Sequence, residues 1–315
     1  MPPAPEKAKV RAVRNRTLEV RSNETAGLKK QIVFADKTFD LSEVRNSIIC
    51  GDAFEVLGRL TKARFDLLFA DPPYNLTKNF GKQKFKQQSS EAYEEWLDSW
   101  LSSCVHLLKR TASIYICGDW RSGAAIQRVG SKYFKLQNRI TWEREKGRGA
   151  KANWKNASED IWFFTVSDKF TFNLDTVKIR RKVLAPYKEN GSPKDWETLD
   201  SGNFRNTHPS NIWTDISVPF WSMRENTDHP TQKPEKLLAK IILASTNSGD
   251  MVLDPFAGSG TTAVTAKKLG RDFVAIESDE RYCLLGQKRL DSVEQDKSIQ
   301  GFSDGVFWER NAGKK

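Results

Sequence analysis

The chain is poor in the residues that hold metals and cross-links. It carries three histidines and four cysteines among 315 residues. Cys50, Cys104, Cys117 and Cys283 lie far apart and none forms a Cys-x-x-Cys pair. Neither a metal site nor a dithiol centre is expected, and these thiols read as small buried hydrophobes. No apolar run approaches the ~20 residues that carry a helix across a bilayer. The first residues, Met1-Pro2-Pro3-Ala4-Pro5, lack the apolar core of a secretory signal. These absences predict a cytoplasmic protein with no membrane partner. Internal repeats are missing too, which excludes a solenoid.

What is abundant is positive charge. Lys and Arg number 51 against 40 acids, a net charge of +11, which favours a polyanionic partner. Residues 1–30 hold eight of the bases against three acids and few large apolar side chains, so they are expected to form a flexible basic arm. A second basic stretch runs from Thr77 to Gln88. It contains Lys78, Lys82, Lys84 and Lys86, no acid, and Phe80 and Phe85 between them.

Short apolar runs alternate with helical periodicity over much of the chain. Ser47–Cys50, Phe65–Ala70, Ser113–Cys117, Leu136–Trp142 and Asp160–Val166 are candidate strands. Between them Tyr93, Trp96, Leu97, Trp100, Leu101 and Cys104 recur at spacings of three and four, the mark of an amphipathic helix whose tryptophans belong to a core. Residues 178–228 show no sustained period and are rich in Asn, Ser, Pro and Trp. A stretch this long without periodicity is often functional, and it is expected to be an inserted recognition region. Regularity returns with a helix after Pro234, the strand Met251–Asp254, a helix from Gly260 to Leu269 and the strand Phe273–Glu277. Strand, helix and strand at this length pair in parallel. The fold class is therefore α/β. The expected divisions are an arm (1–30), a catalytic half (31–177), a target-recognition region (178–228), a cofactor-binding half (229–290) and a polar, peripheral tail (291–315).

Two strand ends carry the chemistry. Asp254-Pro255-Phe256-Ala257-Gly258-Ser259-Gly260 follows one strand and opens a helix. Gly258 and Gly260 let backbone pass close to a ligand, and the helix start offers unpaired N–H groups. The third glycine and the Lys-Ser/Thr of a phosphate loop are missing, so a nucleoside triphosphate is not expected; the carboxylate of a methionine moiety suits this end. Glu277, at the end of the next strand and about 20 residues on, is suited to accept hydrogen bonds from ribose hydroxyls. Asp52 and Ala53, after the first strand, suit the adenine edge of the same ligand, and Asp254 is expected to orient loop amides or the methionine ammonium.

Asp71-Pro72-Pro73-Tyr74 ends the other strand. Its two prolines fix φ, so carboxylate, carbonyl and ring keep their relative positions. A conjugated amine such as adenine N6 is a poor nucleophile because its lone pair is shared with the ring. Hydrogen bonds to the Asp71 carboxylate and the Pro72 carbonyl favour tetrahedral nitrogen and free that lone pair, while Tyr74 stacks on the base. Alignment then supplies much of the rate. The two ends together point to methylation of a nucleobase amine from S-adenosylmethionine. A base in a duplex must be flipped out for this, and the lysines of 78–86 are placed to hold the flanking phosphates.

Here the chain resembles the amino-methyltransferases of bacterial restriction–modification and related systems, specifically the β group of N6-adenine DNA methyltransferases. Asp71-Pro72-Pro73-Tyr74-Asn75 is similar to that family's catalytic motif, His229-Pro230-Thr231-Gln232-Lys233-Pro234 to the segment entering its cofactor helix, and Asp254–Thr261 to its S-adenosylmethionine loop. The order matches as well, over roughly residues 45–290. The resemblance implies the S-adenosylmethionine-dependent methyltransferase fold, a mostly parallel seven-stranded sheet with one strand reversed, flanked by helices. It implies cofactor contacts from Asp52, Ala53, the 229–233 segment (His229, Thr231, Gln232, Lys233), Asp254, Phe256 and its loop neighbours Ala257, Gly258, Ser259 and Gly260, and Glu277. It also implies double-stranded DNA as substrate, homodimers, and in some systems a cognate restriction endonuclease. One departure is visible: the family often opens a later strand with His-Glu, where this chain has Ser158-Glu159-Asp160. The nearest rival is N4-cytosine methylation, whose motif more often begins with Ser. A non-catalytic DNA-binding protein on the same fold is disfavoured because both motifs are intact.

Overall fold

The computed structural model describes residues 12–35, 39–61, 64–80, 83–144, 152–183, 187–200 and 202–310. Nine strands build a central sheet: β1 (Val33–Phe34), β2 (Ser47–Cys50), β3 (Phe65–Ala70), β4 (Leu108–Gly118), β5 (Lys135–Glu143), β6 (Ser158–Thr165), β7 (Ile212–Trp213), β8 (Met251–Asp254) and β9 (Asp272–Glu277). Their spatial order is β1-β2-β9-β8-β3-β4-β6-β5-β7. Only β6 runs antiparallel to its neighbours; the other adjacent pairs are parallel. The two outermost strands are two residues long, so seven longer strands form the body of the sheet, one of them reversed.

Side chains alternate between two cores, as a sheet covered on both faces requires. Leu68, Ala70, Ile114, Ile116, Val274 and Ile276 face one side; Leu67, Phe69, Tyr115, Cys117, Phe273 and Ala275 face the other. The first face is covered by helices α2 (Ala53–Arg59), α3 (Ser90–Val105) and α4 (Gly123–Tyr133). The second is covered by α5 (Glu235–Ser245), α6 (Thr261–Lys268) and α7 (Glu280–Ser292). Among the described residues no helix is long and apolar enough to cross a membrane.

Sequence periodicity gives no sign of α4, because its stretch Gly-Ala-Ala-Ile-Gln-Arg-Val-Gly is short of large apolar residues. The reason is close packing. A Cβ at Gly130 would meet the Phe164 ring at 2.5 Å.

Every residue of α5 is buried. It is sandwiched between the main sheet and a second sheet of five strands, Glu197–Leu199, Gly202–Thr207, Ile179–Lys182, Val306–Trp308 and Phe302–Ser303 in spatial order. Ala239, Leu243 and Ala244 meet Ile179, Phe307 and Ile299 in a third core. Two expectations are corrected here. The chain after 291 is not wholly peripheral: Phe307 and Trp308 are buried, and Phe307 pairs in parallel with Ile179. Nor are residues 178–228 without regular structure. A partner distant in sequence hid the pairing of Ile179 with Phe307, while Glu197–Leu199 and Gly202–Thr207 form a local hairpin of mostly polar residues that writes no apolar period.

The basic arm is corrected as well, over residues 12–30. Arg16 and Leu18 donate backbone hydrogen bonds to the carbonyls of Trp221 and Asn226 at 2.6 and 2.8 Å, and helix α1 (Ser22–Lys29) buries Leu28. Lys288 of α7 reaches the Glu24 carboxylate at 2.6 Å. Residues 1–11 lie outside the described residues. The arm's charge masked these backbone and helix contacts.

Candidate active site

Strands β3 and β8 are direct neighbours, with Val252 opposite Leu67 and Leu253 opposite Leu68, so their backbones lie about 4.8 Å apart. From β3 the chain passes through α3 to β4 on one side. From β8 it passes through α6 to β9 on the other. Ligands of open α/β sheets bind outside the carboxyl ends at such a switch point. The two motifs, so far apart in sequence, meet there for that reason and open into one cavity of about 390 Å³.

Asp71, Pro72, Pro73 and Tyr74 all line this cavity. The Tyr74 hydroxyl donates to Asp71 Oδ1 at 2.9 Å, and the buried Tyr93 donates to the Pro73 carbonyl at 3.0 Å. Asn75 anchors the segment after the corner. Its backbone N–H donates to Ser122 Oγ, while its side chain bonds both N–H and C=O of Gln88, at 2.7 and 3.0 Å. The stretch from Asn75 to Gln88 is therefore closed at its base. It is a hairpin, Lys78–Phe80 with Gln83–Phe85, and not an irregular loop. Lys78 and Lys84 stand on its two strands, Lys86 is exposed just beyond, and Lys82 lies outside the described residues.

On the cofactor side, Asp52, Ala53, His229, Thr231, Lys233, Phe256, Gly258 and Glu277 line the same cavity. Gly258 has φ +53° and donates its N–H to Glu277 Oε2 at 2.8 Å. A Cβ there would sit 2.9 Å from His229 Nε2, so only glycine suits both the backbone and the space. Glu277 Oε1 accepts from the Asp279 N–H at 2.8 Å. Burial pushes the Glu277 carboxyl up, and the N–H groups of Asp279 and Gly258 partly offset this. His229 stands edge-on to Tyr282, with centroids 4.4 Å apart.

Five expected cofactor residues do not line the cavity: Gln232, Asp254, Ala257, Ser259 and Gly260. Each has a supporting contact instead. The Gln232 carbonyl oxygen accepts from Thr227 N–H and Oγ at 2.9 and 2.7 Å. Asp254 accepts from the Phe256 N–H at 2.9 Å and from the Thr262 hydroxyl. Burial pushes the Asp254 carboxyl up to about 7. The Ala257 N–H donates to the Ile276 carbonyl, tying the loop to β9. The Ser259 carbonyl accepts from the Arg289 guanidinium at 2.8 Å. Gly260 approaches Gly286 of α7.

Lys233 lines the cavity between its two halves. Its ammonium turns to the Asp71 half of the site, 2.6 Å from Asp71 Oδ2 and 3.2 Å from Glu159 Oε2. Burial opposes the charge of Lys233, but the carboxylates of Asp71 and Glu159 outweigh it and raise its pKa. Burial and the same two carboxylates push the Tyr74 phenol well up, so it remains a neutral donor.

Residues the sequence did not single out complete the wall: Phe54, Trp96, Asp119, Arg144, Glu159 and Tyr282. Trp100 is fully buried core as expected, whereas Trp96 borders the cavity between Phe54 and Phe256. Little in the sequence signals Glu159, which stands beside a second acid, Asp160, at the start of the strand; only the fold shows that Glu159 is the buried one, 5% exposed.

A switch-point cavity that joins a rigid carboxylate corner to a glycine corner ending on a second carboxylate is the ligand site of an α/β enzyme. Comparison with known proteins narrows the class. The profile of the family described as DNA methylase matches residues 65–288, and the chain belongs to that family. It is 36% identical over 253 residues to the DNA adenine methyltransferase YhdJ of Escherichia coli strain K12, covering 78% of this chain and 82% of that protein. It is 34% identical over 250 residues to the type II methyltransferase M.HpaI of Haemophilus parainfluenzae, covering 78% and 74%. The crystal structure of M1.HpyAVI in complex with SAM superposes with a TM-score of 0.54 at 25% identity, covering 78% of this chain and 98% of that one.

Proposed function

We propose that this protein transfers a methyl group from S-adenosylmethionine to adenine N6 of a base flipped out of double-stranded DNA, at specific sites. The observation that carries the reading is the convergence of the Asp71–Tyr74 and Gly258–Glu277 corners on one cavity. The adenine specificity of YhdJ supports the choice of base.

The residues present fit the cofactor. Gly258 lines the cavity with bare backbone, and its missing Cβ leaves room for the His229 ring beside it. Glu277 Oε1 also accepts from the Ser278 hydroxyl at 3.3 Å, and Oε2 keeps a lone pair for a ribose hydroxyl; Asp52, Ala53, Phe54 and Phe256 offer an edge and apolar surface for adenine. When bound, the cofactor supplies a methyl group on a positively charged sulfur. The chain then has to present the nitrogen. Each Asp71 oxygen has a lone pair left after its bond to Tyr74 or Lys233, so the carboxylate can still accept an amine N–H. The Pro72 carbonyl takes the second N–H, and the stiff Pro-Pro corner holds both acceptors on one side of the amine. The proton given up by the methylated nitrogen passes to Asp71. Phosphates flanking the base fall to Lys78, Lys82, Lys84 and Lys86.

The direct test is to incubate the protein with DNA and cofactor labelled in the methyl group, then digest the DNA to nucleosides. Label should appear in N6-methyladenine. Label in N4-methylcytosine would move the reading to cytosine, and label in neither would end it. Sequencing the modified positions gives the site. The reading extends to a homodimer acting in the cytoplasm on chromosomal DNA, beside a cognate restriction endonuclease. Phe172, 46% exposed at the edge of a second, apolar cleft, supports a subunit contact. A monomeric mass by light scattering at working concentration would reject it.

A further inference from the structure

Lys233 carries an ammonium that methyl transfer as described does not use. Its side chain is 7% exposed; the ammonium donates to Asp71 Oδ2 at 2.6 Å and to the Tyr74 hydroxyl at 3.3 Å, and lies 3.2 Å from Glu159 Oε2 as an ion pair without a hydrogen bond. Glu159, 5% exposed, pairs through Oε1 with the Arg144 guanidinium. Charges therefore alternate along one wall of the cavity, from Asp71 through Lys233 and Glu159 to Arg144, the most exposed of the four.

Each member has a reason to be there. A carboxylate in a closed pocket needs a cation to stay ionised. A single ammonium at 2.6 Å with no other partner would draw on the lone pairs that the amine must reach, and a charged group left buried with one partner pays heavily in lost solvation. A second carboxylate on the same ammonium answers both problems. It divides the pull of the lysine and holds it to one side of Asp71. Glu159 can do this only if it is itself held in place, which the Arg144 guanidinium does through Oε1.

The geometry points to Lys233 and Glu159 as positioning residues for the Asp71 carboxylate. Lys233 holds it turned toward the amine, and Glu159, fixed by Arg144, holds the lysine back so that the carboxylate keeps its strength as an acceptor. The inference rests on the assignment of Asp71 to the target amine. It gives Glu159 no contact of its own with the base.

The test uses the full chain with DNA and S-adenosylmethionine. Glu159→Gln keeps the shape and removes the charge. It should lower kcat on the order of 10²-fold, the cost of a small misplacement of a reacting group. KM for DNA and the calorimetric affinity for S-adenosylmethionine should stay within about twofold, since ground-state binding is untouched. Glu159→Asp should recover most of kcat. In a Lys233→Met background the same Glu159→Gln change should cost nothing further, because its effect runs through the lysine. An unchanged kcat, a loss expressed in KM, or an undiminished loss in the Lys233→Met background would overturn the proposal; the last would make Glu159 a direct base contact. If Glu159→Gln melts before assay, Lys233→Gln takes its place, with the same expected split between kcat and KM. Asp71→Ala separates the two levels: loss of turnover there with full turnover in Glu159→Gln removes this inference alone.

Discussion

Replacing Asp71 by Asn tests the site at its centre. The side chain keeps its shape, but one of two acceptors becomes a donor. Asp71 Oδ2 faces the Lys233 ammonium at 2.6 Å, so the amide must turn its oxygen there to avoid setting donor against donor. The NH₂ then faces Tyr74, whose hydroxyl now accepts instead of donating at 2.9 Å. What the base amine meets is a neutral amide carrying one remaining acceptor. A hydrogen bond to a charged group contributes about 1.5–3 kcal/mol. At 1.36 kcal/mol per tenfold, its loss in the transition state lowers the rate by about 10- to 150-fold. The donor aimed at the amine adds to that. The assay is a single-turnover methyl transfer with saturating DNA and cofactor, alongside calorimetric titration of S-adenosylmethionine, whose affinity should not change. Turnover by Asp71→Asn within about threefold of the parent would show that the carboxylate charge does not act on the amine, because the missing bond is worth more than that.

Other consequences are open to measurement. Glu277→Gln places an amide N–H₂ against one of two backbone donors, Gly258 or Asp279. It should weaken S-adenosylmethionine binding by about 1–3 kcal/mol, and an unaltered calorimetric affinity rejects the ribose assignment. Neutralising Lys78, Lys82, Lys84 and Lys86 to Gln should reduce the slope of log K against log salt by about 0.9 for each phosphate no longer neutralised; an unaltered slope counts against the hairpin. Burial pushes the Asp254 carboxyl up to about 7 from an ordinary 3.8, so between those values the folded chain holds a proton that the unfolded chain has released. The stability this contributes is present below the lower value and lost as pH rises through the upper one. Asp254→Asn, whose amide can serve both Phe256 and Thr262, should therefore melt higher than the parent at about pH 8 and lose little of that stability relative to about pH 5. A parent-like pH dependence in the variant would place the titration elsewhere.

The reach of each force decided whether its effect could be read along the chain. Strand ends were legible because a buried strand writes its own apolar run, as in Phe65–Ala70 and Phe273–Glu277. The Pro-Pro corner and the Gly258 turn were legible because φ restrictions are local. Helix α4 was not, since its Gly130 makes room for Phe164 and its Gly123 lies against Trp162, both on β6. Strand Ile179–Lys182 was not, since one of its partners, Val306–Trp308, lies at the far end of the chain. Residues 12–21 were read by their charge, yet Arg16 and Leu18 are held by backbone bonds to Trp221 and Asn226, which do not depend on the side chain.

Lysine 233 shows the limit most sharply. In sequence it stands in the lead-in to α5, beside residues that do border the cofactor half, and nothing local says which way its long side chain turns. Its direction is decided by carboxylates from two other strands, Asp71 after β3 and Glu159 on β6. Three elements must be assembled before the choice exists. The same holds for α5 as a whole. Its Glu235, Lys236 and Lys240 look like a solvated face, but all three are buried and paired, Glu235 with Arg289 and Lys268, the lysines with Asp215. A charged residue in this fold is therefore informative only with its partner, because burying one without the other costs several kcal/mol. Lys233 and Glu159 satisfy that condition in the cavity that Asp71 lines, where an apolar pair would fill the same space without desolvation cost, and packing alone does not require the bond that Lys233 makes to Asp71.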